Sequence, residues 1–167
     1  MLQIQKTEGI FVKKIFLLFS LFILLTIPLT GCRSESSLNI GLSYEEAILA
    51  KQIDGLWNQV TDAQFAKEDT IGLVLLNVSG FEKGEDGLNW MDIDVELKDA
   101  EGTIVNEEKS CLGESGKMDL ENNIAKSPVG SFFASKEIPT GQYMLTVTVY
   151  DKIGGGKVVC NKRLYIE

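Results

Sequence analysis

Between Trp90 and Lys98 the chain alternates with a period of two: Met91, Ile93, Val95 and Leu97 are apolar, and Trp90, Asp92, Asp94, Glu96 and Lys98 fall between them. That alternation predicts a strand with oil on one face and charge on the other. Asp99-Ala100-Glu101-Gly102 supplies a turn with glycine at its end, and Thr103 to Lys109 returns as the partner strand. Upstream, the run Ile71 to Val78 is rich in β-formers and too short for a helix. Downstream, Gly141 to Tyr150 reads as a long strand and Asp151 to Gly156 as a turn. Lys157 to Ile166 reads as the last strand, with Val158, Cys160, Leu164 and Ile166 on one face, interrupted by Lys162. Weaker strand segments, Lys117 to Glu121 and Gly130 to Ser135, are separated by Asn122, Asn123 and Pro128. Tyr44 to Asp54 fits a helix started by a Ser43/Glu46 capping box or a first strand, and the strand is preferred because a sandwich needs it. About seven to eight short strands with turns between them predict an all-β fold, an antiparallel β-sandwich.

The first residues follow a different pattern. Lys6, Lys13 and Lys14 precede an apolar run from Ile15 to Leu29 that only Ser20 and Thr26 interrupt. A membrane-spanning helix needs roughly 20 apolar residues, so this shorter run with a basic flank predicts a cleaved signal peptide. Its end, Leu29-Thr30-Gly31-Cys32, resembles the lipobox of bacterial lipoproteins: an aliphatic residue, two small residues and a cysteine whose thiol accepts a diacylglyceryl group. The resemblance implies lipidation of Cys32, which then becomes the mature N-terminus, and a membrane anchor on the extracytoplasmic side of the cell envelope. Arg33 stands in place of the aspartate that resembles an inner-membrane retention signal, which points to the outer membrane in a host that has one. The expected organisation is a signal peptide over 1–31, a serine-rich lipidated tether over 32–43 and one folded domain over 44–167.

Composition narrows the chemistry. Removing residues 1–31 takes Lys+Arg from 16 to 13 and Asp+Glu from 24 to 23, and so the net charge from −8 to −10. Such a surface repels phosphate backbones, and no nucleic-acid partner is expected. The chain has no histidine, which removes the commonest general base and metal ligand. Cys111 and Cys160 remain as a candidate disulfide in a compartment that permits one, the alternative being two free thiols. No histidine exists to activate Cys111 as a nucleophile.

Further along, Ile138-Pro139-Thr140-Gly141-Gln142-Tyr143-Met144-Leu145, continuing to Tyr150-Asp151, resembles the penultimate strand of bacterial immunoglobulin-like domains. The resemblance implies an immunoglobulin-like sandwich in which Tyr143 forms a tyrosine corner by bonding to backbone. It implies no activity.

Asp92, Asp94 and Glu96 project from one sheet face after a loop bearing Glu82, Glu85 and Asp86. Oxygen ligands of this kind suit calcium, with Asp86, Asp92 and Asp94 as the candidate set, but only a fragment of a calcium loop is present and a solvated face is the preferred reading. Trp57, Trp90 or Tyr150, if exposed, would suit the apolar face of a sugar ring. With no catalytic group marked and no cofactor beyond the lipid implied, the expectation is a non-enzymatic lipoprotein that binds another envelope protein or serves as an accessory subunit. A carbohydrate-binding or calcium-dependent adhesion module is the alternative.

Overall fold

The computed structural model describes residues 37–120 and 126–167; the signal segment, Cys32, the start of the tether and Glu121 to Ala125 lie outside them. Within them are eleven strands and one short 3₁₀ turn, Gly113–Gly116. The strands are β1 (Ser37–Ile40), β2 (Glu46–Ile53), β3 (Leu56–Gln59), β4 (Gln64–Phe65), β5 (Thr70–Leu76), β6 (Asn89–Asp99), β7 (Ile104–Glu108), β8 (Lys117–Met118), β9 (Val129–Phe133), β10 (Gly141–Asp151) and β11 (Lys157–Ile166).

They form two sheets. The large one runs β1-β11-β10-β6-β7, with β4 added to the end of β11 and β8 to the start of β6; the small one runs β3-β2-β5-β9. Every pairing is antiparallel except β4 with β11. The strand count exceeds the expected seven to eight because short edge pieces without a hydrophobic period, such as β4 and β8, are fixed by neighbours and not by their own pattern. The fold class holds: this is an all-β sandwich of two sheets, antiparallel but for that one short pairing. Tyr143 makes the corner, its hydroxyl donating to the Pro139 carbonyl at 2.6 Å. Burial, with smaller contributions from Asp99 and Glu101, pushes its phenol upward in pKa.

Inward-facing positions meet as the alternation requires. Leu49, Ile71, Leu73, Leu75 and Phe132 from the small sheet pack against Met91, Ile93, Val95, Leu97, Leu145, Val147, Val149, Val158, Cys160, Leu164 and Ile166 from the large one. Gly130 lies on the inner face of β9, where a Cβ would collide with Val147, so glycine lets the sheets approach there.

The chain folds earlier than its composition predicts. Ser37 to Ile40 already pairs with Cys160 to Lys157, and Leu42 is buried, so the second half of the expected tether is domain. Serine-rich composition concealed a strand whose partner lies over a hundred residues away. Residues 46–53 are the preferred strand, and Ser43 caps no helix: its hydroxyl meets that of Ser79 at 3.0 Å. The β2–β3 hairpin was not anticipated. Asp54 and Gly55, with φ of 51° and 79°, form the tight turn that an Asp-Gly pair favours.

Candidate functional site

The two sheets present two outer faces of different chemistry. On the large sheet the register sets Asp92 opposite Tyr150, Asp94 opposite Thr148 and Glu96 opposite Thr146, with Glu107 of β7 beside Glu96. Asp94, Glu96, Glu107, Lys109, Thr146 and Thr148 line an open cleft of about 120 Å³. Lys109 pairs with Glu107 at 2.9 Å and Lys98 with Glu96 at 2.7 Å.

The acidic row is not uniformly solvated. Asp92 is only 3 % exposed. Its Oδ1 accepts amide N–H groups from Ile93 at 2.9 Å, Leu112 at 3.2 Å and Gly113 at 3.4 Å, fastening the loop after β7 onto the sheet. Burial raises its carboxyl pKa, but bonds from Ile93, Leu112, the Ser110 side chain and Gly113 together outweigh that and hold it below the ordinary value. Asp94 accepts the Ser110 N–H at 2.8 Å and the Tyr150 hydroxyl at 2.9 Å. Tyr150 is raised in pKa by burial first and then by that bond. Asp86 accepts the Leu88 N–H at 3.0 Å within its own exposed loop. Among the described residues no cluster of three or more carboxylate or thiol side chains is placed to hold a metal ion.

Cys111 and Cys160 do not bridge. Cys111 is exposed, its thiol toward the Glu108 carbonyl at 3.8 Å, while Cys160 is buried and accepts the Tyr44 hydroxyl at 3.5 Å. Sheet order explains the separation. Cys111 bonds to Ile93 on the β7 side of β6, whereas Cys160 is on β11, with β10 between. Three strand spacings of about 4.8 Å put the two near 14 Å apart, beyond disulfide reach. Burial, and then the nearby Glu108, Asp94 and Asp92 charges, push the Cys111 thiol upward, so it is not an activated nucleophile.

The three aromatic candidates for sugar stacking do not form one cluster: Trp90 and Tyr150 share the outer face of the large sheet, and Trp57 is on the small one. Trp90 donates its indole N–H to the Gly113 carbonyl at 2.9 Å and carries the Lys117 ammonium 4.4 Å from its ring centroid. It borders a recess of about 360 Å³ lined also by Gly84, Asp86, Leu88, Lys117 and Ile153. Tyr150 is held by Asp94, and Trp57 belongs to the other sheet.

On the small sheet the outer positions are Ile48, Val74 and Val129 in one cross-strand row and Ala50, Gly72 and Ser131 in the next. Trp57 lies across this second row: a Cβ on Gly72 would be 2.7 Å from the indole and 2.8 Å from the Val129 side chain. Ala50 and Val74 are therefore buried on an outside surface. Sequence reasoning missed this face, although its signal was present. A continuous apolar strand such as β5 is apolar on both sides, and only one side can face the core.

No known protein family matches the chain, and no curated protein matches it. Among solved structures it is similar to the C-terminal domain of wzt, with a TM-score of 0.54 and 11 % identity over 80 % of this chain and 78 % of that one. A second likeness, to the PmoD soluble domain from Methylocystis sp. ATCC 49242 (Rockwell), has a TM-score of 0.35 and 8 % identity over 75 % of this chain and 94 % of that one. At these identities the first likeness bears on the β-sandwich fold alone and the second carries no argument.

Proposed function

We propose that the chain is a lipoprotein of a bacterial envelope, anchored through lipid on Cys32, whose sandwich binds another envelope protein as a non-enzymatic accessory subunit. The observation that carries the anchor is the order of its first residues: a basic start, the apolar run Ile15 to Leu29, then Leu29-Thr30-Gly31-Cys32. Two or more acyl chains on one residue suffice for stable attachment. Because pairing begins at Ser37, five residue steps, at most about 18 Å of chain, separate the lipidated Cys32 from the first paired residue. Asp94, Glu96 and Glu107 around one cleft, offset in part by Lys98 and Lys109, support a basic surface on that partner, attracted by charge and fixed by hydrogen bonds.

Fatty-acid labelling tests the anchor: the parent chain incorporates label and Cys32→Ala accumulates as unlabelled precursor, whereas continued labelling of the variant refutes it. Mild crosslinking in membranes followed by purification tests the binding role. A stoichiometric envelope protein is expected, and recovery of this chain alone overturns it. The recess beside Trp90 favours a second reading, a carbohydrate-binding module, for which added oligosaccharide would shift tryptophan emission.

A further inference from the structure

The small sheet ends in β9, and nothing among the described residues pairs with the far side of that strand. Two bonds define which groups face outward. The Leu75 N–H donates to the Pro128 carbonyl at 3.1 Å, and the Ala134 N–H donates to the Asp69 carbonyl at 2.9 Å, both across to the β5 side. Antiparallel bonding alternates, so positions 128, 130, 132 and 134 face β5, and Val129, Ser131 and Phe133 turn their N–H and C=O groups to the open side. Of these, the Phe133 carbonyl accepts the Ser135 N–H at 3.0 Å and retains a second lone pair.

Proteins protect such edges with charge, proline, bulges or brevity. The β7 edge carries Glu107 and Glu108 and a register shift at Leu97/Lys98, and the β1 and β3 edges are four residues each. Val129-Gly130-Ser131-Phe132-Phe133, one residue longer than the β1 and β3 edges and preceded by Pro128, carries neither charge nor bulge, and Phe133 is 54 % exposed.

The geometry points to β9 as the interface through which two copies of this chain pair, antiparallel and two-fold about Ser131. The strand is its own complement in that register. Ser131 meets Ser131 of the second copy, and Val129 meets Phe133 in both directions, so every outward N–H and C=O finds a partner and each exposed phenylalanine covers a valine. All three side chains lie on the outer face, where the two apolar surfaces built on Ile48, Val74 and Trp57 become continuous across an eight-stranded sheet. Charge selects a second copy for this face. The chain is net −8, so two copies repel in general approach, whereas β9 holds no charge and lets them meet without like charges opposed. Beyond the strand Lys126 falls near Lys136 of the second copy, whose charge is offset by Glu68 at 3.2 Å. The pairing does not depend on the lipid anchor.

A cysteine at 131 reads the register directly, because opposed residues of a bonded antiparallel pair have Cα atoms about 5.5 Å apart, within disulfide range. In the full chain carrying Cys111→Ser, Ser131→Cys is expected to give covalent dimer on mild oxidation, several-fold more than Thr148→Cys on the opposite sheet. Sedimentation of the parent chain is expected to report a dimer, and Phe133→Lys a monomer with unchanged far-UV circular dichroism. Equal crosslinking at 131 and 148, a parent chain that sediments as a monomer, a dimer that survives Phe133→Lys, or crosslinking at 131 to a different protein each overturns the proposal.

Discussion

The outer face of the large sheet carries Asp94, Glu96 and Glu107, whereas that of the small sheet carries Ile48, Val74 and Val129, with Trp57 laid over the neighbouring row at Gly72. Both faces border the same core, so burial of that core does not account for the difference. A sandwich needs one apolar face per sheet. The large sheet meets that requirement and leaves its other face to water and ions. The small sheet carries a second apolar layer, part of it sealed by its own tryptophan and part, at Phe133, left exposed. Polar outer faces give electrostatic preference at long range, while apolar ones need contact and a fitting shape. The molecule has one of each.

The largest expected effect strikes the polar face at its buried end. Asp92→Ala removes the acceptor for Ile93, Leu112 and Gly113, leaving three amides to find water in a closed site. Hydrogen bonds to charged groups contribute about 1.5–3 kcal/mol, and a loss of about 3 kcal/mol in urea unfolding is expected. The pH dependence has a definite sign. The folded-state pKa of Asp92 lies below its ordinary 3.8, so its stabilisation is complete above that value and is lost as pH falls through the folded pKa. Asp92→Asn should therefore be less stable than the parent at neutral pH, with the difference narrowing below about pH 4. A constant difference down to pH 2 would assign the effect to shape alone.

On the apolar face, Gly72→Ala sets a methyl group into the 2.7 Å and 2.8 Å approaches of Trp57 and Val129. Overpacking of this kind costs about 1–3 kcal/mol. The loss is expected near the middle of that range, with a change in tryptophan emission as Trp57 lifts. Restoring room by Gly72→Ala with Trp57→Leu should recover part of it. If the double variant is no better than Gly72→Ala, Trp57 does not seal the face.

These two residues also mark what the sequence made legible. The alternation of β6, the hairpin after Asp99 and the long pair β10–β11 were readable because a period of two survives without knowledge of the partner. Tyr143 was readable from Gly141-Gln142-Tyr143-Met144-Leu145. The same alternation put Asp92 on the charged face, and it stands there; its burial follows from the loop 109–113 folding back over it, a long-range event with no local signature. Cys111 and Cys160 could be counted but not placed, because their separation depends on strand order. The Asp54-Gly55 turn and the unbroken apolar run of β5 carried local signals for the β2–β3 hairpin and the second apolar face, and both can be recognised without coordinates.

The smallest expected stability effect belongs to the exposed part of the polar face, where stability and binding should separate. Glu96 pairs with Lys98 at 2.7 Å, both side chains partly exposed. Pairs in that setting contribute about 0–1 kcal/mol, so Glu96→Gln should change unfolding by less than about 0.5 kcal/mol. If the cleft bounded by Asp94, Glu96 and Glu107 receives a basic partner, the same substitution slows association and flattens its dependence on salt, because a peripheral charge acts mainly on encounter. The comparison of faces then has a direct readout: Glu96→Gln weakens recovery of the crosslinked envelope protein and leaves self-association unchanged, while Phe133→Lys abolishes self-association and leaves that recovery intact. A substitution that moved both together would mean that the two faces serve one interface.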